Sequence, residues 1–446
     1  MTDLKGSAAG DRAAALRPAN LAFNARHPGE AAERQPVHVV YGGGHLFRAD
    51  TAVRLGAVAR KALDDYAADA RTLDAVLGLG ARADAVYERV REKLTREPVE
   101  DFRIDFEDGY GNRPDAEEDG HVAAAAREVA SGLKAGTLPA FIGIRIKPLN
   151  EELRERSVRT LQLFLRTLVN EAGRLPQNFV VTLPKITVTD QVAAFADILA
   201  VLEREVGLFA GALRFEVMIE TPQVILGDDG MSPLPCLLTA AAGRLTAAHF
   251  GTYDYTAGLG ITAAYQRMRH PACDFAKHMM QVAYSGTGVW LSDGATSVLP
   301  VPLHRAPAGA NLSPAQEREN RAGVHDAWKL HFDDVRHSLA HGFYQGWDLH
   351  PAQLVTRYAA VFSFFLEGLD AAGARLANFV TKAAQATLVG DVFDDAATGQ
   401  GLLNYFLRGI NSGAITEEEA VARTGLTVEE IRSRSFVQIL KTRGKG

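Results

Sequence analysis

Glu220 follows directly on an apolar run, "FEVMI" (215–219), and Asp254 lies shortly beyond a second run, "LTAAHF" (245–250). Two carboxylates at the ends of consecutive apolar segments suit a hard divalent cation such as Mg²⁺, which takes oxygen donors and completes its shell with water and substrate. Each acid also has a local reading. Glu220 precedes Thr221-Pro222, a helix start where negative charge is favoured, and Asp254 sits in the glycine-flanked turn "GTYDYTAGLG". Neither local role excludes coordination. Arg145, inside "GIRIKPL", has apolar neighbours on both sides. Its planar fork suits bidentate binding of a carboxylate, either on an anionic substrate or, as a structural ion pair, on Glu107 or Asp108. Lys147 and Lys185 offer amines for Schiff-base chemistry or positive charge for an anion, and His45, after "YGGG", offers an imidazole.

These residues need a common scaffold, and the chain supplies a repeating one. Short apolar runs at 37–41, 101–106, 141–146, 179–183, 215–219, 245–250, 288–292 and 345–349 are each followed by a polar or glycine segment and an amphipathic helical stretch. Alternating strands and helices imply a parallel sheet, and eight repeats imply a closed TIM (β/α)8 barrel. In such a barrel the segments after all eight strands share one face, the C-terminal rim. They hold Gly42–His45, Glu107-Asp108, Lys147, Lys185, Glu220, Asp254, Asp293-Gly294 and His350-Pro351. Polar turn residues are common at any strand end, but a ring of charged and imidazole groups is what a rim active site requires. Residues 1–36, rich in Ala, Arg, Gly and Pro without clear periodicity, read as a loosely held N-terminal arm. Residues 37–360 read as the barrel with loop insertions, and 361–446 as a helical C-terminal extension.

Composition excludes several classes. The 446 residues carry a net charge of −6, so no basic stripe for nucleic acid is expected. Cys236 and Cys273 provide neither a disulfide framework nor a thiolate metal set. No apolar run approaches the ~18 residues that span a membrane, and "MTDLKGSAAGDRAAALRPAN" lacks a signal-peptide core. The expectation is a cytoplasmic protein.

The segments "DFRIDFEDG", "IRIKP", "VTLPKI", "VMIETPQVI", "HFGTYDYTAGLG" and "GWDLHPAQL" occur in an order that resembles the citrate lyase beta-subunit and malyl-CoA lyase family. That family belongs to the phosphoenolpyruvate/pyruvate superfamily, with the 2-oxo-acid aldolases. The resemblance spans roughly residues 37–360. It implies that Glu220 and Asp254 are Mg²⁺ (or Mn²⁺) ligands, that Arg145 binds substrate and stabilises an enolate, and that Glu107 and Asp108 hold metal-bound waters or Arg145. It also implies substrate binding along Gly251-Thr252-Tyr253. Two positions depart from the family pattern: Lys147 stands where the family has Asn, and "QPVH" replaces the Arg-Ser pair before the first strand.

The resemblance implies a Mg²⁺-dependent C–C lyase or aldolase working through an enolate. Its substrate would be a 2-oxo-4-hydroxy acid or a 3-hydroxyacyl-CoA-type thioester, in a homo-oligomer. Its general base would be His45, or Asp391, Asp394 or Asp395 of a C-terminal segment. Rival readings are a Schiff-base aldolase using Lys185 or Lys147, and a catalytically silent barrel serving binding or assembly. His325, His331, His337 and His341 read as a solvated helix face, with no acid in a zinc-peptidase arrangement between the last two. Thr416–Glu419 and Thr427–Glu430 read as capping boxes of two short helices joined at Gly425.

Overall fold

Polar and apolar residues alternate along the apolar runs, and the alternation sorts into two faces. The computed structural model describes residues 8–29, 33–307, 309–381, 387–389, 392–394 and 396–443. Its barrel strands are β1 (His38–Gly43), β2 (Asp101–Asp105), β3 (Phe141–Arg145), β4 (Phe179–Leu183), β5 (Arg214–Ile219), β6 (Leu245–Phe250), β7 (Trp290–Ala295) and β8 (Gln345–Asp348). They pair in parallel in sequence order, and β8 pairs back to β1, closing the TIM (β/α)8 barrel.

The outward residues meet the helices. On β5, Phe215 packs edge-on against Phe195 of the helix Thr189–Val206, with ring centroids 5.1 Å apart. That helix buries Val192, Phe195, Ala196, Leu199 and Leu202, one stripe at helical spacing. The inward residues are strongly polar. Arg103 of β2 donates to Glu216 of β5 through Nε (2.7 Å) and a terminal nitrogen (2.8 Å). These strands are not neighbours, so the ion pair crosses the lumen. Asp101 also accepts from Arg103, Thr182 donates to Glu216, and His249 Nε2 stands 3.0 Å from Glu216. Such charges persist in a core only when paired.

Several details differ from the sequence reading. β7 runs past its expected end, so Asp293 and Gly294 lie inside it. Asp293 is buried and accepts from Lys277 and Ser338, which makes it an anchor rather than a rim acid. The histidines of the long helix Pro314–Ala340 do not form a solvated face. His331 is buried between Thr356 and Asp348, His325 contacts the Tyr66 carbonyl at 2.8 Å, and His337 contacts Asp274 at 2.9 Å. After β5, Thr221 does not cap the helix Pro222–Ile225 with its side chain; its hydroxyl donates to the Ile186 carbonyl of the preceding unit.

At the N-terminus, two helices, Ala8–Ala14 and Arg17–Arg26, occur within the expected arm, and the second buries none of its residues. The helix Leu354–Thr381 packs along the barrel and continues past residue 360. Beyond it, both capping boxes form as expected, at Thr416–Glu419 and Thr427–Glu430, with Gly425 at φ 66° between the two helices. Cys236 and Cys273 are free thiols. Among the described residues, no helix is long and apolar enough to cross a membrane.

Candidate functional site at the C-terminal rim

The last inward residues of β2, β3 and β5 converge where the strands reach the rim. Arg145 ends β3, fully buried, and pairs two-pronged with Asp105 at the end of β2, at 2.7 and 2.6 Å. A third guanidinium nitrogen lies 3.1 Å from Glu107 Oε2. The guanidinium also stacks over Tyr41 (4.7 Å) and Trp347 (5.4 Å), aromatic rings from β1 and β8. Burial opposes its charge, but the adjacent Asp105 and Glu107 hold its pKa well above the usual arginine value. Asp105 in turn accepts from the Glu107 and Gly109 backbone N–H groups, which shapes the turn after β2.

Glu220 is buried at the end of β5 and accepts from the Lys185 backbone N–H at 2.8 Å. Lys185 presents that N–H from φ 49°, a left-handed conformation that costs a non-glycine residue ~1–3 kcal/mol. Gly251 makes room for the carboxylate. A Cβ there would stand 2.4 Å from Glu220 Oε2. Burial, then repulsion from Asp254, pushes the Glu220 carboxyl up to about 8. Asp254, exposed at the rim, is also raised by desolvation, against the attraction of Lys185.

The Lys185 ammonium lies among the acids. It donates to Glu107 Oε1 and, at 2.9 Å, to both Asp108 oxygens, and stands 3.8 Å from Asp254. Burial works against its charge, yet the bond to Glu107 raises its pKa above the usual lysine value. Glu107 is raised by burial despite Arg145, whereas Asp108 is lowered because Lys185 overcomes its desolvation.

Five carboxylates, Asp105, Glu107, Asp108, Glu220 and Asp254, thus face two cations, Arg145 and Lys185. The surplus negative charge fits a divalent ion, and the three raised carboxyls, Glu107, Glu220 and Asp254, are the groups whose ionisation such an ion would favour. Among the described residues, no set of three or more His, Cys, Asp or Glu side chains forms a protein-only metal cage. A Mg²⁺ site of two carboxylates completed by water and substrate needs none.

Other candidates are placed differently. Lys147 turns away from the rim and is buried against the Phe106 carbonyl and Glu118 Oε2, both at 2.7 Å. His45 lies in an aromatic cluster with Tyr110 and His121, at centroid distances of 5.5 and 5.8 Å. Its Nδ1 is buried without a hydrogen-bond partner, and burial followed by the Arg113 charge lowers its pKa. The Thr252 hydroxyl packs against Met268, and the Tyr253 hydroxyl ties the Ala295 carbonyl to the Ser297 N–H. Asp391 and Asp395 lie outside the described residues; Asp394 ends the short strand Val392–Asp394. Asp105, Tyr41 and Trp347 were not singled out from sequence. The inward alternation of "DFRIDF", which puts Asp101, Arg103 and Asp105 on one face, is the signal that could have found Asp105.

Fold and rim define a TIM-barrel protein with an acidic, arginine-backed site at the C-terminal ends of its strands. The chain belongs to the family described as a domain of unknown function (DUF6986), which matches residues 16–439. No curated protein matches the sequence. Among solved structures, a citrate lyase from Burkholderia xenovorans LB400 is similar, with 20% identity, a TM-score of 0.55, and coverage of 76% of this chain and 92% of that one. A magnesium/glyoxylate complex of Haloferax volcanii malate synthase aligns at 13% identity and a TM-score of 0.46, covering 89% of this chain and 97% of that one. The likeness to the citrate lyase is one of barrel fold.

Proposed function

We propose that this chain is a Mg²⁺- or Mn²⁺-dependent carbon–carbon lyase acting at the C-terminal rim on a 2-oxo-4-hydroxy acid or a 3-hydroxyacyl-CoA-type thioester. The observation that carries this reading is the Glu220–Asp254 pair, two acids with raised pKa values, one at the end of β5 and one in the first turn of the helix Thr252–Gly258 after β6, backed by Arg145. Glu220 and Asp254 would hold the ion, with Glu107 and Asp108 beside it. Bound there, it would supply Lewis acidity to the substrate carbonyl. Arg145, locked by Asp105 and two aromatic rings, supplies a fixed positive charge where an enolate oxygen develops, at no reorganisation cost during reaction. Cleavage requires a base that takes the hydroxyl proton of the substrate as the C–C bond breaks. Of the candidates, His45 has a lowered pKa that keeps the imidazole neutral and able to accept a proton at pH 7.

The Schiff-base alternative has less support. A nucleophilic lysine must lose its proton, yet Lys185 is held protonated by Glu107 and Asp108, and Lys147 is buried against Glu118. The test is a Mg²⁺-dependent screen for pyruvate, glyoxylate or oxaloacetate released from 4-hydroxy-2-oxo acids and from malyl- or citramalyl-type thioesters, with Glu220→Gln as control. Release that survives both chelator and Glu220→Gln would remove the proposal. Calorimetry showing no Mg²⁺ uptake would favour a binding or assembly module.

A further inference from the structure

A large cavity lies at the opposite end of the barrel from the acids. About 940 Å³ in volume, it is lined by the first residues of β2 through β8, which makes it the N-terminal mouth. Barrel interiors are ordinarily filled by layers of branched side chains, and the sequence here leaves this layer open. The first residue of the remaining strand, His38, is drawn aside instead, accepting from the Glu100 N–H at 3.0 Å with its other nitrogen 3.8 Å from Asp348. Gly143 and Ala247, inward on β3 and β6, contribute almost no volume. Gly143 has none to give, since a Cβ would meet the Val180 carbonyl at 2.0 Å.

The cavity has the make-up of a ligand site: a volume in the ~300–1,000 Å³ range, apolar walls and a few fixed polar groups. Phe141, Val180 and Trp290 form the wall, and Phe209, 76% exposed, stands at the lip. The Asp101–Arg103–Glu216 network forms the floor, its charges satisfied among themselves. Three exposed guanidiniums, Arg26, Arg174 and Arg214, also line the mouth, with Glu33 as the acid beside them. Arg26 and Arg214 are oriented by backbone carbonyls, those of Pro235 and Arg244. One side of the mouth is built by the N-terminal segment, which Gly29 N–H ties to the Gly286 carbonyl at 2.8 Å.

We propose that the N-terminal mouth of the barrel is a second ligand site, taking a small molecule with an aromatic or acyl body and an anionic head. The body packs on Phe141, Val180 and Trp290 while the head meets the entrance arginines. This site is independent of the lyase reading, being formed by the opposite ends of the strands.

The probe is 8-anilinonaphthalene-1-sulfonate, titrated onto the full chain. Expected is one saturable site per chain, with energy transfer from tryptophan that falls in Trp290→Phe. Arg174→Glu/Arg214→Glu weakens binding about tenfold or more, whereas Arg166→Glu on the outer surface and Glu220→Gln at the rim do not. Decanoate displaces the probe, and acetate and decanol, lacking body or charge, do so poorly. Circular dichroism melting confirms that the variants are folded. Absent or non-saturable binding, affinity indifferent to the entrance charges, or displacement by decanol as strong as by decanoate would overturn the proposal.

Discussion

Arg145 and Asp105 close a two-pronged ion pair between the ends of adjacent strands, at 2.7 and 2.6 Å, wholly out of solvent. The pair fixes the plane of the guanidinium and leaves its remaining edge toward Glu107. Because both partners are buried, breaking it leaves an uncompensated charge. Asp105→Asn is expected to destabilise the protein by about 3–5 kcal/mol, measured by urea unfolding. A change under about 1 kcal/mol would mean that the pair is not formed in solution.

Glu220 couples metal binding to pH. Its carboxyl is raised from 4.5 to about 8 in the folded state, so between those values the folded protein holds a proton that the unfolded chain has lost. Metal-free stability should therefore fall as pH rises from about 5 to 8, and Glu220→Gln should flatten that slope. Since the ion must displace the proton, Mg²⁺ affinity should climb up to about tenfold per pH unit below 8 and level off above it. Calorimetry across pH 6–9 reads this directly, and a pH-independent affinity would contradict the placement of the ion.

Lys185 neutralises acids that would otherwise face the ion. Lys185→Met should raise Mg²⁺ affinity by about tenfold while lowering metal-free thermal stability. Wild-type protein treated with pyruvate and borohydride should show an unmodified Lys185 by mass spectrometry. Covalent trapping there would revive the Schiff-base mechanism.

Gly251 has φ −101°, which alanine adopts freely, so Gly251→Ala acts only through its methyl group against Glu220. Mg²⁺ binding should weaken about 10- to 100-fold. In the Glu220→Gln background the same change should add little. Equal effects in both backgrounds would show that the glycine serves the fold and not the carboxylate.

The amino-acid order alone determined the barrel. Apolar runs of strand length, helical stripes and the punctuation between them are local patterns, and eight repeats left one closed arrangement that buries them. It also placed Glu220, Asp254, Arg145 and Lys185 at strand ends, because turn position follows from the same local code. Closure decided the rest. Arg145 had Glu107 and Asp108 as candidate partners from sequence; Glu107 does reach it at 3.1 Å, but the two-pronged partner is Asp105, which β2–β3 register sets opposite it. Lys147, a rim amine by spacing, sinks toward Glu118. Asp293 is carried inside β7, and His331 is buried against Asp348. Arg103 and Glu216 meet only because their strands lie across a lumen from each other. Which partner a charge finds, and therefore its pKa, is a property of register and of distance across the barrel, and these exist only once the sheet has closed.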